Sequence, residues 1–150
     1  MTTSSAPTVS QIERGAKRFG YTVAAAVNGV MIWVVHNIVE WDVFGWLTAE
    51  FDKLLPWLTV SFVVGIVLNL VYVGDDSVPI KSPGQIISSI VALVVTIRTL
   101  TVFPFDFSTY DFNYAVPLRI ALWVAIVGIV IGAFAEANKL AKHHESASGT

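Results

Sequence analysis

Two arginines stand out in this sequence because each lies at the edge of a long apolar segment. Arg98 follows sixteen uncharged residues (82–97), and Arg119 precedes another sixteen (120–135). At about 1.5 Å per helical residue, such a segment covers roughly 24 Å of a hydrocarbon core about 30 Å thick. An ionised side chain inside hydrocarbon costs free energy. An arginine at this depth therefore predicts either a functional site or a route by which the side chain reaches water.

Other polar residues are predicted to lie at a similar depth. His36 comes eighteen residues after Arg18, about 27 Å by the same helical rise, and Glu40 follows on the same helical face. Asp106 comes directly after the apolar segment that contains Arg98. These five residues form what we call the predicted polar layer: His36, Glu40, Arg98, Asp106 and Arg119.

Three kinds of chemistry are open to the predicted polar layer. The arginines can extend to water and lipid phosphates, or pair with Glu40 and Asp106 and so hold helices together. We favour this structural interpretation. The two guanidinium groups could instead bind an anion or a lipid headgroup, because arginine binds phosphate and carboxylate bidentately. A proton-linked path through His36 and Glu40 is the third alternative.

Small and amide side chains in the apolar segments predict where helices pack. Gly128 and Gly132 form a GxxxG pattern, and Ala25 and Gly29 form a small-xxx-small pair. Such positions allow two backbones to approach closely, and an asparagine such as Asn69 typically bonds to a neighbouring helix. For the glycine pair we favour packing within the chain over contact with a second copy.

Four apolar segments are long enough to carry these residues across a membrane. The chain has 150 residues, 55% hydrophobic and 13% charged, and is poorer in charge than a soluble domain. The predicted spans are about 19–40, 54–74, 83–105 and 113–137. They lie in a membrane domain covering 12–142, between a disordered leader (1–11) and a polar tail (143–150). The predicted fold is all-α, an antiparallel four-helix transmembrane bundle.

The placement of lysine and arginine predicts the orientation of the bundle. Three such residues precede the first span, one lies between the second and third, and two follow the fourth, whereas the other side has Lys53 alone. Cytoplasmic segments are enriched in these residues, so both termini are predicted to be cytoplasmic. Aromatic residues crowd the opposite loops. We interpret them as an anchoring belt in preference to an access site for lipid or quinone.

Several classes of function are disfavoured by what the sequence lacks. A net charge of −2 without a basic patch argues against nucleic acid as a partner, and the absence of cysteine excludes thiolate chemistry. His36 is the single histidine within the spans, which excludes a bis-histidine haem in one chain. There is no P-loop, dinucleotide fingerprint, HExxH or GxSxG motif. We therefore predict no catalytic residue, no metal site and no cofactor.

Two segments resemble those of small four-helix integral membrane proteins of actinobacteria. They are VGIVLNLVY (64–72) and VFPFDF (102–107). The two arginines and the glycine pair also stand where that resemblance places them, and it covers roughly residues 20–135. It implies four helices in a bacterial inner membrane. It implies no activity, cofactor or catalytic residue.

The function predicted from these observations is that of a non-enzymatic membrane protein, an accessory, scaffold or assembly subunit. Its expected partners are the lipid bilayer and either another membrane protein or a second copy of the chain. One alternative is a small oligomeric channel or transporter, for an anion or coupled to protons, that uses the predicted polar layer. A weaker alternative is a lipid- or quinone-binding membrane protein.

Overall fold

The computed structural model describes residues 9–41 and 44–148, and the regular structure within them is almost entirely helical. The four long helices are α1 (Val9–Asn37), α2 (Leu55–Gly74), α3 (Val78–Val102) and α4 (Ala115–Ser148), with a short 3₁₀ helix at Ala49–Lys53. All four are long and apolar enough to cross a membrane. The all-α class and the number of candidate spans are thus confirmed.

The first and last helices extend past the predicted spans toward the two termini. α1 begins at Val9 and ends at Asn37, three residues before the predicted end, and α4 starts at Ala115, two residues late, and continues to Ser148. The segments outside the apolar runs contain alanine, lysine, arginine and glutamate, whose helix propensity lets the helix continue past the apolar run. Of the predicted leader, residues 1–8 lie outside the described residues and 9–11 are helical. Most of the predicted tail is helical too, with 149–150 outside the described residues.

The third helix is displaced toward the amino terminus relative to its predicted span. It starts at Val78 with a proline in its first turn, where the missing N–H has no cost. It ends at Val102 because Phe103 takes a left-handed conformation (φ 43°). Pro104 comes next and is fully buried. A residue before proline is disfavoured in the helical region, which explains why the helix stops before the predicted residue 105.

Each helix packs against its neighbours along the chain. α1 contacts α2, α2 contacts α3, and α3 contacts α4, whereas no Cα of α1 comes within 8 Å of a Cα of α4 among the described residues. The result is an open four-helix bundle. It has two ends: the turn end, where residues 75–77 connect α2 to α3, and the loop end, where residues 44–54 meet residues 103–114.

The loop end contains the best-packed apolar cluster. Val35, Phe51 and Leu54 are buried there, with Val102 and other apolar side chains against them. Backbone hydrogen bonds join its two loops, from Thr48 N to the Pro104 carbonyl (2.9 Å) and from Asp106 N to the Trp46 carbonyl (2.8 Å). The two loops are therefore hydrogen-bonded to each other and do not form independent segments.

Elsewhere many large apolar side chains point away from the protein. On α4, Phe134 is 69% exposed, Val124 66% and Ile131 63%, and similar residues face outward on the other three helices. Exposed apolar surface of this kind is typical of a surface that contacts lipid or another protein. The four candidate spans thus suggest a multi-pass membrane protein.

Candidate functional site

The arginines of the predicted polar layer contact aromatic rings. The guanidinium carbon of Arg98 lies 5.0 Å from the ring centroid of Trp57, and that of Arg119 lies 4.4 Å from that of Phe103. Within the described residues, neither guanidinium has a carboxylate oxygen within 4.0 Å. The expected ion pairs are therefore replaced by cation–π contacts, which a flat, weakly hydrated guanidinium makes readily.

Of the other three residues of the predicted polar layer, His36 and Asp106 hydrogen-bond to nearby backbone groups. His36 Nδ1 lies 2.8 Å from the Ile32 carbonyl oxygen of its own helix, so this nitrogen carries the donated proton. Glu40 is exposed in the turn after α1. The Asp106 carboxylate accepts the backbone N–H of Ser108 (2.9 Å), and this hydrogen bond lowers the pKa of Asp106. In the described part of the chain, no hydrogen bond or ion pair joins any two of the five residues.

An open aromatic pocket lies at the loop end. Its volume is about 610 Å³, within the range of small-molecule cavities. Trp46 packs against Phe105 and Phe107, with ring centroids 5.6 and 6.0 Å away. The pocket's lining is almost wholly apolar and comprises Trp46, Phe105, Phe107, Tyr110, Tyr114, Pro117 and Leu118. It is the cavity to which the lipid or quinone alternative would apply.

A polar network, absent from the sequence-based prediction, occupies the turn end. Lys81 Nζ donates to the hydroxyl of Tyr21 (2.9 Å), which in turn donates to Asp76 Oδ2 (3.5 Å). The Tyr72 hydroxyl donates to the carbonyl of Lys81 (3.2 Å), and the Tyr21 and Tyr72 rings meet edge to face. Residues from α1, α2 and α3 therefore share one site. Asp75 closes the adjoining turn by accepting the Ser77 N–H (2.9 Å), which lowers the pKa of Asp75.

The fourth helix joins this end through a buried serine. Ser82 is 3% exposed and donates to Glu136 Oε2 (3.2 Å). The other carboxylate oxygen of Glu136 accepts from Lys139 (2.6 Å). This chain of contacts ties α3 to α4 and neutralises Glu136 within its own helix.

A polar cleft of about 380 Å³ opens beside the network, between α2 and α3. We call it the turn-end cleft. It is lined by Tyr21, Gly65, Leu68, Asn69, Tyr72, Lys81, Gln85, Ser88 and Ser89. A smaller hollow of about 60 Å³ adjoins it, since both share Tyr21 and Tyr72. Around the hollow lie Arg14, Lys17, Arg18 and Asp76.

The sequence does carry a signal for the turn-end cleft. Lys81, Gln85, Ser88 and Ser89 are spaced i, i+4, i+7 and i+8, so they share one face of a helix. That face holds four of the five polar residues between positions 78 and 90, the fifth being Ser82. Counting charges alone misses it, because only Lys81 is ionised.

The predicted packing residues divide into two groups. Ala25 is buried, whereas a Cβ added at Gly29, Gly128 or Gly132 would meet no atom within 4 Å. Asn69 donates to the Gly65 carbonyl of its own helix (2.7 Å), not to a neighbouring helix, and lines the turn-end cleft. The helix approaches that do require glycine are at Gly65, beside Asn28, and at Gly84, beside Tyr72.

No group of three or more histidine, aspartate or glutamate side chains is placed to hold a metal ion within residues 9–41 and 44–148. Comparison with protein-family models, curated protein sequences and solved structures gave no match. The resemblance to actinobacterial membrane proteins therefore stays a prediction.

Proposed function

We propose that the protein is a non-enzymatic integral membrane protein, an accessory, scaffold or assembly subunit that associates through α4. The observation that carries this proposal is the outward position of the small residues on that helix. Ala121, Ala125, Gly128 and Gly132 follow i, i+4, i+7, i+11 spacing, and all four are exposed. No described atom lies within 4 Å of a Cβ built at either glycine, which favours contact with a second helix over packing within the chain.

Lipid offers no hydrophobic gain when two helices meet, so association in a bilayer depends on close packing of small residues. A stripe of alanine and glycine lets a second helix approach the α4 backbone. Within the described residues α4 packs only against α3, which leaves the stripe free along its length. A subunit that assembles with a second copy of itself, or with another membrane helix, would use such a face.

The proposed membrane arrangement is an antiparallel bundle with both termini cytoplasmic, in a bacterial inner membrane. In support, the first half of α1 meets the end of α2, with the Tyr21 and Tyr72 rings 5.5 Å apart. Val35, near the end of α1, packs against Leu54 directly before α2. Six of the seven Lys and Arg residues outside the apolar segments lie at the termini or the turn end, the side expected to face the cytoplasm.

Cysteine cross-linking tests the association proposal. The chain has no native cysteine, so any disulfide reports an introduced one. Val124 flanks the stripe, and we expect Val124→Cys to form a cross-linked adduct under mild oxidation in native membranes. Replacing Gly128 and Gly132 by leucine in that background is expected to lower the yield about tenfold, equivalent to about 1.4 kcal/mol. The adduct mass distinguishes a second copy from another protein.

The matched control is Trp123→Cys. It lies one residue earlier at similar depth and exposure, but is turned about 100° further from the stripe. We expect little cross-linking there. Equal yields from the two cysteine positions, or no adduct from Val124→Cys, would contradict association through α4.

A further inference from the structure

Cationic side chains surround the turn-end cleft and its adjoining hollow. Arg14, Lys17 and Arg18 line the hollow, and Lys81 lines the cleft, against a single lining carboxylate, Asp76. Lys17 Nζ is 3.8 Å from Asp76, which offsets one positive charge. The site therefore has a surplus of positive charge where α1, α2 and α3 meet.

The carboxylates near Lys81 leave its charge available. Asp76 is engaged with Lys17 and with the Tyr21 hydroxyl. Glu136 is engaged with Lys139 and Ser82. Lys81 itself has only the neutral Tyr21 hydroxyl as a side-chain hydrogen-bond partner among the described residues, with the Tyr21 ring 5.4 Å from its nitrogen. An ammonium group held in this way can bind an incoming anion.

The interior of the cleft offers further donors. In the described part of the chain, the side chains of Gln85, Ser88 and Ser89 make no hydrogen bond, although all three line the cleft. Ser89 is eight residues beyond Lys81, about 12 Å along the helix. Unsatisfied polar groups at this depth in a membrane are costly, so a ligand with its own acceptors would be favoured there.

From this geometry we infer that the turn-end cleft binds the phosphate headgroup of an anionic phospholipid. The phosphate diester lies against Lys81, with Arg14 and Arg18 at the rim. The ester carbonyls of the same lipid accept hydrogen bonds from the Gln85 amide and the Ser88 hydroxyl. Basic pockets between helices at a membrane surface recognise anionic headgroups by this combination of charge and depth. The inference rests on the proposed membrane insertion and is independent of association through α4.

Native mass spectrometry of the full chain, released from bilayer discs of equimolar phosphatidylglycerol and phosphatidylcholine, tests this site. We expect the protein to retain phosphatidylglycerol preferentially. Lys81→Gln is expected to lower that preference about tenfold, because a charge-assisted hydrogen bond is lost. Arg18→Gln at the rim is expected to lower it about fivefold.

The matched control is Lys142→Gln, which removes the same charge from an exposed site outside the cleft. Its lipid preference is expected to equal that of the unmodified protein. Gln85→Leu serves as a second variant, because it removes a donor from the cleft without changing charge; it should also reduce retention. Thermal unfolding in neutral detergent shows whether Lys81→Gln is folded. If it is not, Gln85→Leu and Arg18→Gln test whether the turn-end cleft binds the lipid.

A second binding experiment, with inorganic phosphate, distinguishes a lipid headgroup from a free anion as the ligand. If millimolar phosphate binds alone and no preference for phosphatidylglycerol is seen, the lipid assignment is overturned. Equal retention of both lipids, or an equal loss in Lys142→Gln, would also overturn it. The cross-linking of Val124→Cys is read out separately, so failure of either proposal leaves the other standing.

Discussion

Arg98 and Arg119 show how an arginine at the edge of an apolar segment can be accommodated without a carboxylate. Each guanidinium lies against an aromatic ring of a neighbouring segment: Trp57 in α2 for Arg98 and Phe103 after α3 for Arg119. Cation–π contacts at exposed sites contribute about 0.5–1 kcal/mol to stability. This is much less than the stability lost when one partner of a buried ion pair is removed. Both residues are exposed, so these contacts orient the arginines more than they stabilise the fold.

A double-mutant cycle at Arg98 checks this interpretation. We expect Arg98→Met to lower the free energy of unfolding by at most about 1 kcal/mol, with a coupling of about 0.5–1 kcal/mol to Trp57→Leu. Unfolding would be measured by denaturant titration in detergent micelles. Glu40→Gln is the control partner, and coupling of Arg98 to Glu40 in place of Trp57 would contradict the cation–π assignment.

Two aspartates, Asp75 and Asp106, accept a hydrogen bond from the backbone of their own loop. Asp75 and Asp106 each accept the backbone N–H of the residue two positions on, at 2.9 Å in both cases. The bond favours the ionised carboxylate, which is why the pKa of each is lowered. Their role is to shape the connections at the two ends of the bundle, and this was not evident from their charge alone.

At the scale of helices, Gly84 marks a point where α2 and α3 pack without room for a side chain. A Cβ at Gly84 would lie 2.1 Å from the Tyr72 hydroxyl oxygen and 2.9 Å from Leu68 Cδ2. The same hydroxyl donates to the Lys81 carbonyl, so Tyr72 fixes both the spacing and the register of the two helices. Only glycine allows this approach, and the three-residue turn between the helices keeps them together.

Adding one methyl group to Gly84 tests the importance of this contact. We expect Gly84→Ala to destabilise the protein by about 1–3 kcal/mol through overpacking. Gly29→Ala is the control, because nothing lies within 4 Å of its added Cβ; it should be neutral or stabilising by up to about 1 kcal/mol.

The rescue variant for the same contact is Tyr72→Phe. In the Gly84→Ala background, removal of the hydroxyl should cost less than it does in the unmodified protein, since it also relieves the clash. Thermal unfolding of the four proteins in detergent would measure the coupling. If the two changes in the free energy of unfolding were strictly additive, the Tyr72 hydroxyl would not clash with the added methyl group, which would contradict the proposed contact.

At the scale of the whole molecule, the open arrangement leaves two regions uncovered by the other described helices. The stripe on α4 faces outward, and the turn-end cleft opens between α2 and α3. Association and lipid binding are thus proposed at surfaces that the open architecture exposes.

Accessibility of introduced cysteines tests the proposed orientation. We expect a membrane-impermeant maleimide to label Ser108→Cys, in the loop end, in intact spheroplasts of a bacterial host. Ser146→Cys, near the end of α4, should react only after the membrane is permeabilised. Labelling of both positions from the outside, or the reverse pattern, would contradict cytoplasmic termini.

The sequence by itself determined the four helices and the residues available to them. Hydrocarbon thickness sets the length of an apolar segment, so runs such as 54–74 predict a spanning helix without knowledge of its neighbours. It predicted less well where the helices end, because helix-forming charged residues extend α1 and α4 past the apolar runs, and Pro104 stops α3 early.

Only the tertiary structure decided which faces meet. Tyr21, Tyr72 and Lys81 come from three helices and form one network, whereas Gly128 and Gly132, with a packing motif in sequence, meet nothing. The physical reason is that lipid tails and apolar side chains are equally good neighbours for an apolar face. Hydrophobic periodicity therefore cannot say which face turns inward. Steric fit at Gly84 and the polar contacts at the turn end decide it.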